Sequence, residues 1–387
     1  MAIPLKYNIG NLMSRKASVA MTVFGIGLVI AVMVAMMALY NGVNQALVSS
    51  GSKENMMILR EGAQTESTSW VTRDKYRIIS SLPGIAKASD GAPLISPELV
   101  IIFKLPRRDN PTGSNVNVRG VTPKALELRP YIELTDGRMF KSGLNEVIVS
   151  ERMRDRFVNT NIGDTFKFGT QSWTVVGVFD AKGTSFDSEI WADVETLGRA
   201  QNRPEYSSVL TKPSSVADFR KIADAIQADP RLKLLTKTEF KYYEDQTSGL
   251  LGIRILVSIV AFFMVLGATL GAMNTMFSAV ASRKRELATM RALGFKRRDI
   301  LLSVVIEAIV LSALAGIAGV IMALPVNGIA TGTANFVTFS EVAFNFTISP
   351  EVAMFAIGLA IVAGVIGGLL PAVSAARMPI TRALREI

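Results

Sequence analysis

SRKRELATMRALGFKRRDI, residues 282–300, is the stretch from which the fold can be read outward. Nine of its nineteen residues are charged, seven of them basic, yet it lies between two of the most apolar runs in the chain. No charge stands between Arg254 and Arg283 on one side, and Glu307 is the only one between Asp299 and Glu341 on the other. Charge is also absent between Lys16 and Lys53 and between Glu351 and Arg377. A helix of about 20 apolar residues crosses a bilayer core. The four runs therefore read as membrane helices at 18–40, 255–280, 303–329 (within a segment 300–329) and 352–374. The first is too long for the roughly 7–15-residue core of a signal peptide, and Ala38-Leu39-Tyr40 is a poor cleavage site, so it reads as an uncleaved anchor.

The position of Lys and Arg in short flanks sets orientation. Lys6, Arg15 and Lys16 precede the first helix, seven basic residues fill 281–299, and Arg377, Arg382 and Arg385 follow the fourth helix. The loop 330–351 has no Lys or Arg and carries Glu341 and Glu351. Both termini and 281–299 are therefore expected in the cytoplasm of a multi-pass membrane protein. Residues 41–254 and the outer loop 330–351 lie on the other side. The net charge of +10 then reflects membrane topology and points away from a nucleic-acid surface.

The chain has no His and no Cys. Zinc sites built on those residues, His-based triads, Cys nucleophiles and disulfides are excluded. Residues 41–254 read as mixed α and β in two parts. Strand-like NMMILR (55–60) and a helix at 71–82 match SSVLTKP (207–213), a helix at 216–227 and LKLLTKTEF (232–240) in one split α/β subdomain. Short β runs at 146–150, 164–169, 172–180 and 188–193 suggest a small β subdomain at about 120–200 inserted in the first. RRDNPTGSNVN (107–117) reads as a loop. Asp180, Asp187 and Glu189 could in principle bind a cation, but read better as a solvated loop. Trp70, Trp173 and Trp191 read as core or interface, and no catalytic or metal site emerges.

Within 282–300, Leu287, Met290 and Leu293 recur on one face of a short helix, Gly294 is placed to stop it, and Glu286 and Arg291 suit its dipole. Such a helix either lies on the anionic inner leaflet or docks its apolar stripe in a partner's groove. The segment resembles the coupling segment of the MacB/FtsX family of ABC transporter permeases, whose pattern R-x-x-E-[IL]-x-x-[LM]-R-A-[LI]-G is filled by Arg283, Glu286, Leu287, Met290, Arg291, Ala292, Leu293 and Gly294. Residues 9–31 resemble the family's amphipathic N-terminal helix, here 1–17, running into its first membrane helix. Residues 371–386 resemble its C-terminal ending, with 375–387 as a cytoplasmic tail, and 134–179 resemble the core of its periplasmic module.

The resemblance implies a protein of the bacterial plasma membrane, the inner membrane in a Gram-negative cell, with four membrane helices and a large α+β extracytoplasmic domain at 41–254. It also implies a second permease, identical or homologous, and two cytoplasmic ABC ATPases docked on the coupling helices. ATP and Mg belong to those ATPases and no cofactor to this chain, which lacks a G-x-x-x-x-G-K-[ST] phosphate loop; the ATPase is expected on another polypeptide, as in LolC/LolE-like members. Export, efflux, or lipoprotein or lipid release would follow, with a periplasmic adaptor or carrier and membrane lipids as further partners. The alternative is an FtsX-like signalling protein acting on a periplasmic partner without moving cargo.

Two features of the membrane runs stand out. Glu307 is ionisable inside a helix, where burial is costly; it reads as a carboxylate that snorkels or pairs with Arg283 or Arg291, or as a group that handles protons or cargo. Polar residues such as Asn274 are few, while Gly267 with Gly271 and Gly316 with Gly319 suit tight helix packing. That composition fits a membrane part that transmits force better than one that forms a pore.

Overall fold

A computed structural model describes residues 16–109, 112–335 and 337–379. The expected helix 1–17, the tail 375–387 and the segments 9–31 and 371–386 fall partly outside the described residues. In chain order the elements begin with α1 (Lys16–Val48), β1 (Met56–Arg60), α2 (Arg73–Ser80), β2 (Ile95–Leu105), β3 (Ser114–Val121) and α3 (Ala125–Leu128). Next come β4 (Glu133–Gly137), β5 (Glu146–Ser150), α4 (Glu151–Arg156), β6 (Thr165–Phe168), β7 (Gln171–Asp180), β8 (Glu189–Asp193) and α5 (Val194–Ala200). They are followed by β9 (Ser208–Thr211), α6 (Val216–Ala228), β10 (Leu234–Thr238), α7 (Glu239–Gln246), α8 (Leu251–Ser282) and α9 (Lys284–Ala292). The last are α10 (Arg297–Ala323), β11 (Ala330–Ala334), β12 (Glu341–Asn345) and α11 (Pro350–Arg377). The chain divides into two compact units: one takes in the chain up to Asn41, Gly252–Ile329 and the chain from Phe346, the other Gly42–Leu251 and Ala330–Asn345.

In the first unit, α1, α8, α10 and α11 are long and apolar enough to cross a membrane. Helix α1 runs to Val48, past the expected end at residue 40. Hydrocarbon offers no hydrophobic drive between helices, so close contact needs small side chains. At Gly319 a methyl group would meet the Gly27 carbonyl of α1 and Ile30, and at Gly316 it would meet Ile357 and Ala360 of α11. Gly267 and Gly271 depart from the expectation of tight packing: nothing lies within 4 Å of either position. Together with Asn274 they lie on an exposed face of α8, because their spacing of four and three residues repeats on one side of a helix.

The second unit is built on a ten-stranded sheet in the order β10-β1-β9-β2-β3-β8-β5-β7-β4, with β6 paired to β7. The pairings are antiparallel except β3 with β8 and β5 with β7. The strands expected to form an inserted subdomain at about 120–200 connect to the rest through β2, whose Ile95–Glu98 part pairs with β9 and whose Leu99–Leu105 part pairs with β3. The join is the β2–β3 hairpin, from Leu99 opposite Gly120 to Leu105 opposite Ser114. Residues 114–117, expected in a loop, are thus the start of β3. Alternate residues of a strand point to opposite faces, and both faces here are covered: Met56 and Ile58 of β1 pack into one apolar cluster and Met57 and Leu59 into another. The short helices start where the sequence supplies caps: Ser215 accepts from the Asp218 N–H at 3.1 Å, and Thr238 from the Lys241 N–H at 3.1 Å. Trp173 and Trp191 are core residues, whereas Trp70 is exposed and stacks on the Arg60 guanidinium at 3.7 Å.

Inside this unit a buried ion network ties distant segments together. Arg119 of β3 donates to Glu66 at 2.8 Å, Glu98 of β2 at 2.7 Å and Glu189 of β8 at 2.7 Å. Arg129 donates to Glu98 at 2.6 Å and to Glu239 at 2.9 Å. Asp187, also buried, accepts from the Ala181 and Gly183 N–H groups and pairs with Arg152 at 3.1 Å. Neither Glu189 nor Asp187 lies in the solvated loop expected for them. The β11–β12 hairpin belongs to the same unit. Its Glu341 pairs with Arg156 and, at 3.4 Å, with Arg107, and its Asn335 donates to Gln246 at 3.1 Å. The stretch 330–351 is therefore structured over much of its length.

Burial pushes the Glu98 carboxyl up, but Arg129 and Arg119 outweigh it and hold it below the ordinary glutamate range. Burial raises the Glu239 carboxyl against the pull of Arg129, Asn55 and the Ser52 N–H. Glu98 therefore contributes stability present above the ordinary glutamate range and lost as pH falls. The contribution of Glu239 has the opposite sign, being lost as pH rises through its folded value. Breaking a buried pair from one side strands charge at a cost of about 3–5 kcal/mol. Glu98→Gln is expected to lower the stability of the purified chain by that amount and to blunt its sensitivity to acid. Thermal unfolding followed by the fluorescence of the buried tryptophans checks this, with the exposed Glu61→Gln as the control that should unfold like the parent.

Candidate functional site

Helix α8 ends at Ser282, Arg283 breaks the regular backbone with φ −117°, and α9 starts at Lys284. The break turns the Arg283 side chain inward. It is 7% exposed and donates to Glu307 of α10 at 2.8 Å and to Glu286 at 3.2 Å. Glu307 is itself 4% exposed. The carboxylate that hydropathy marked as an anomaly is thus paired at the joint between two helices. Arg291, the other candidate partner, donates instead to the carbonyls of Ala376 at 3.0 Å and Met378 at 3.4 Å. Its cation satisfies carbonyls that the end of α11 leaves without an intrahelical partner.

The C-terminal stop of α9 is a Schellman motif. Phe295 N–H bonds the Met290 carbonyl at 3.2 Å and Gly294 N–H bonds the Arg291 carbonyl at 3.2 Å. Gly294 has φ +97°, a conformation that glycine adopts without steric cost. Just beyond, the Asp299 side chain accepts from the Lys296 N–H at 2.8 Å and starts α10.

The apolar stripe expected over Leu287, Met290 and Leu293 is divided. Leu287 is 3% exposed and packs with Met276 and Val280 of α8, Ile300 and Val304 of α10, and Ala372 of α11. Met290 is half-buried, and Leu293 is 75% exposed. One end of the stripe holds the helix to its own chain and the other, Leu293, faces outward and is followed in sequence by exposed Lys296, Arg297 and Arg298. Of the remaining sequence candidates, Gly316 and Gly319 lie in helix contacts within the unit, while Gly267, Gly271 and Asn274 share the open face of α8 and none touches α9. The ion network centred on Arg119 and Arg129 escaped sequence reading. Its only local trace is a charged residue set within apolar strand runs, as in ELVIIF (98–103) and NVRGV (117–121).

Residues 19–229 match the model of the MacB-like periplasmic core domain, and residues 258–380 that of the FtsX-like permease C-terminal region. The chain belongs to the MacB/FtsX family of permeases. It is 28% identical over 397 residues to the pyoverdine export ATP-binding/permease protein PvdT of Pseudomonas fluorescens, covering 95% of this chain and 57% of that protein. It is 25% identical over 406 residues to the macrolide export ATP-binding/permease protein MacB of Bdellovibrio bacteriovorus, covering 97% of this chain and 60% of that one. The chain thus spans less than two thirds of the length of these curated relatives. Among solved structures, the periplasmic region of MacB from Actinobacillus actinomycetemcomitans is similar at a TM-score of 0.39 and 13% identity, over 50% of this chain and 92% of that one. The extracellular domain of YknZ, from Gram-positive bacteria, has a TM-score of 0.37 and 15% identity, over 48% of this chain and all of that one. In this permease the α8–α9 joint lies inside the region matched to the FtsX-like permease model.

Removing either member of the Arg283–Glu307 pair leaves the other buried without it. Arg283→Gln and Glu307→Gln are each expected to destabilise the permease by about 3–5 kcal/mol. The double substitution should cost less than the sum, since contacting residues couple by about 0.5–3 kcal/mol. Unfolding midpoints of the four proteins in one detergent close this cycle, and strict additivity would mean that the pair is not coupled.

Proposed function

We infer that the chain is the membrane subunit of an ABC transporter of the MacB type. It would pass an ATP-driven change from a cytoplasmic ATPase to its extracytoplasmic domain, for export, efflux, or lipoprotein or lipid release. The observation that carries this reading is the division of α9: one side seats in a cluster drawn from three membrane helices, while Leu293 and its charged neighbours stay exposed. A partner that grips Leu293 and pushes would move α9 as a lever. Packed interiors respond to a push by shifting as bodies, because they are too dense to deform gradually. Arg283 would hold the lever to α10 through Glu307, and Arg291 would hold it to the end of α11.

In this reading both termini and α9 are cytoplasmic. ATP and Mg are bound by an ABC ATPase supplied outside these 387 residues, two copies per complex. A second permease, identical or homologous, would cover the open face of α8 at Gly267, Gly271 and Asn274, where small residues let two backbones approach. A periplasmic adaptor or carrier would meet the extracytoplasmic domain. The relatives named for pyoverdine and macrolide export favour efflux among the three outcomes.

Leu293→Asp is expected to leave the permease folded and in the membrane while stimulation of its ATPase falls at least about tenfold, the size of one lost anchor of about 1.4 kcal/mol or more. Leu287→Asp should instead destabilise the permease itself by burying a charge. Normal ATPase stimulation in the Leu293→Asp complex would leave α9 as a helix that only rests on the lipid surface.

Topology is tested on the Cys-free background, where single cysteines report accessibility without interference. Lys221→Cys, exposed on α6, should react with a membrane-impermeant thiol reagent on cells with a permeabilised outer envelope. Arg297→Cys should react only after lysis. The reverse pattern overturns the orientation.

A further inference from the structure

A groove of about 450 Å³ opens on the first unit between α1, α8 and α11. Its walls are apolar: Met37 of α1, Val257, Ala261 and Val265 of α8, and Phe355 and Leu359 of α11. Polar groups gather at one end, where Arg254 stands near Tyr40, Asn41 and Ser258. Arg254 is the last charge before Arg283, it is exposed, and it takes part in no ion pair among the described residues. Ser258 donates its hydroxyl to the Arg254 backbone carbonyl at 2.8 Å, a bond that does not engage the guanidinium.

Dimensions and charge together identify an occupant. From Arg254 to Val265 is eleven residues, roughly 16 Å of helix at 1.5 Å per residue. Half of a hydrocarbon core of about 30 Å is about 15 Å. The groove therefore runs about the depth of one leaflet, with a cation at its polar end and hydrocarbon walls below. Every phospholipid offers a phosphate that accepts the planar guanidinium in a two-pronged contact, but a zwitterionic headgroup adds its own cation beside Arg254, so a lipid with net negative charge is favoured. The aromatic hydroxyl of Tyr40 suits the headgroup level, where tyrosines concentrate.

We propose that this groove is a binding site for an anionic phospholipid drawn from the surrounding leaflet, with one acyl chain between α1, α8 and α11 and the phosphate on Arg254. The site stands on the groove and its charge, and does not depend on which cargo the permease handles. Its lipid enters sideways from the bilayer and makes the conformation of α1 against α8 sensitive to the anionic content of the membrane.

The test uses the full chain in nanodiscs of phosphatidylcholine doped with a diazirine-acyl probe, either phosphatidylglycerol or phosphatidylcholine, with cross-linked positions mapped by mass spectrometry. The phosphatidylglycerol probe should label Val257–Val265 about tenfold more than the phosphatidylcholine probe, the scale of one charge-assisted contact. Arg254→Gln should bring the two probes to equal labelling, Arg254→Lys should retain most of the preference, and Ala261→Trp, which fills the groove, should abolish labelling by both. Equal labelling of the parent by the two probes overturns the proposal, as does a preference that survives Arg254→Gln. Cross-links from the groove to a second copy of the chain, with no lipid adduct, would assign it to a protein interface instead. Should Arg254→Gln fail to fold, the parent comparison and Ala261→Trp still decide.

Discussion

A charge removed from water must find a counter-charge or hydrogen bonds, and this one requirement organises both units of the permease. In the first unit, Glu307 lies on a helix with no other ionisable residue between Asp299 and Glu341. An unpaired carboxylate there would be costly. Arg283 meets it at 2.8 Å, and the meeting is possible only because the backbone breaks for one residue between α8 and α9. The break places α9, α9 places Leu287 in the apolar cluster, and Arg291 then reaches the end of α11. The electrostatic need of one residue thus fixes the geometry of the α8–α9 joint.

The same requirement shapes the second unit on a larger scale. Arg119 and Arg129 are fully enclosed and face four enclosed carboxylates: Glu66, Glu98, Glu189 and Glu239. Their segments lie far apart in sequence, and no simple hydrophobic pattern would hold them in register. Glu98 bridges the two guanidiniums and therefore stays ionised, while Glu239, with one guanidinium and a carboxylate nearby, is the member pushed toward its neutral form. Raising the Glu239 carboxyl eases the excess of buried negative charge around Arg119 and Arg129.

What the sequence made legible follows from the range of each force. The bilayer imposes long apolar runs, so the four membrane helices could be read from composition, and Gly294 marked the end of α9 because only a left-handed turn closes that motif. The β2–β3 hairpin was missed for local reasons. Pro97 interrupts a strand pattern, since it cannot donate to a ladder, and Asn115 and Asn117 make the start of β3 look like a loop. The short β runs at 146–193 were legible, whereas their link to the other strands through successive parts of β2 has no local signal. Arg119 shows only as a charge within an apolar strand run and Arg129 not even that, because partners twenty to more than a hundred residues away define them. Leu293 and Leu287 look alike in sequence, and only packing tells the inward residue from the outward one.

The glycines distinguish a membrane helix that is held on both sides from one that is open. Gly316 and Gly319 are filled by neighbouring helices, so α10 is locked between α1 and α11, whereas Gly267 and Gly271 on α8 face open space. A polar path through these helices would need groups to replace water along it, and the one charged side chain in α10 past its first turn, Glu307, is already engaged by Arg283. A helix set with one tightly held member and one open face is suited to moving as bodies against a partner or lipid. For the transport role proposed for this permease, cargo is then handled at the extracytoplasmic domain or reached sideways from the leaflet, and the membrane helices carry displacement between the two sides.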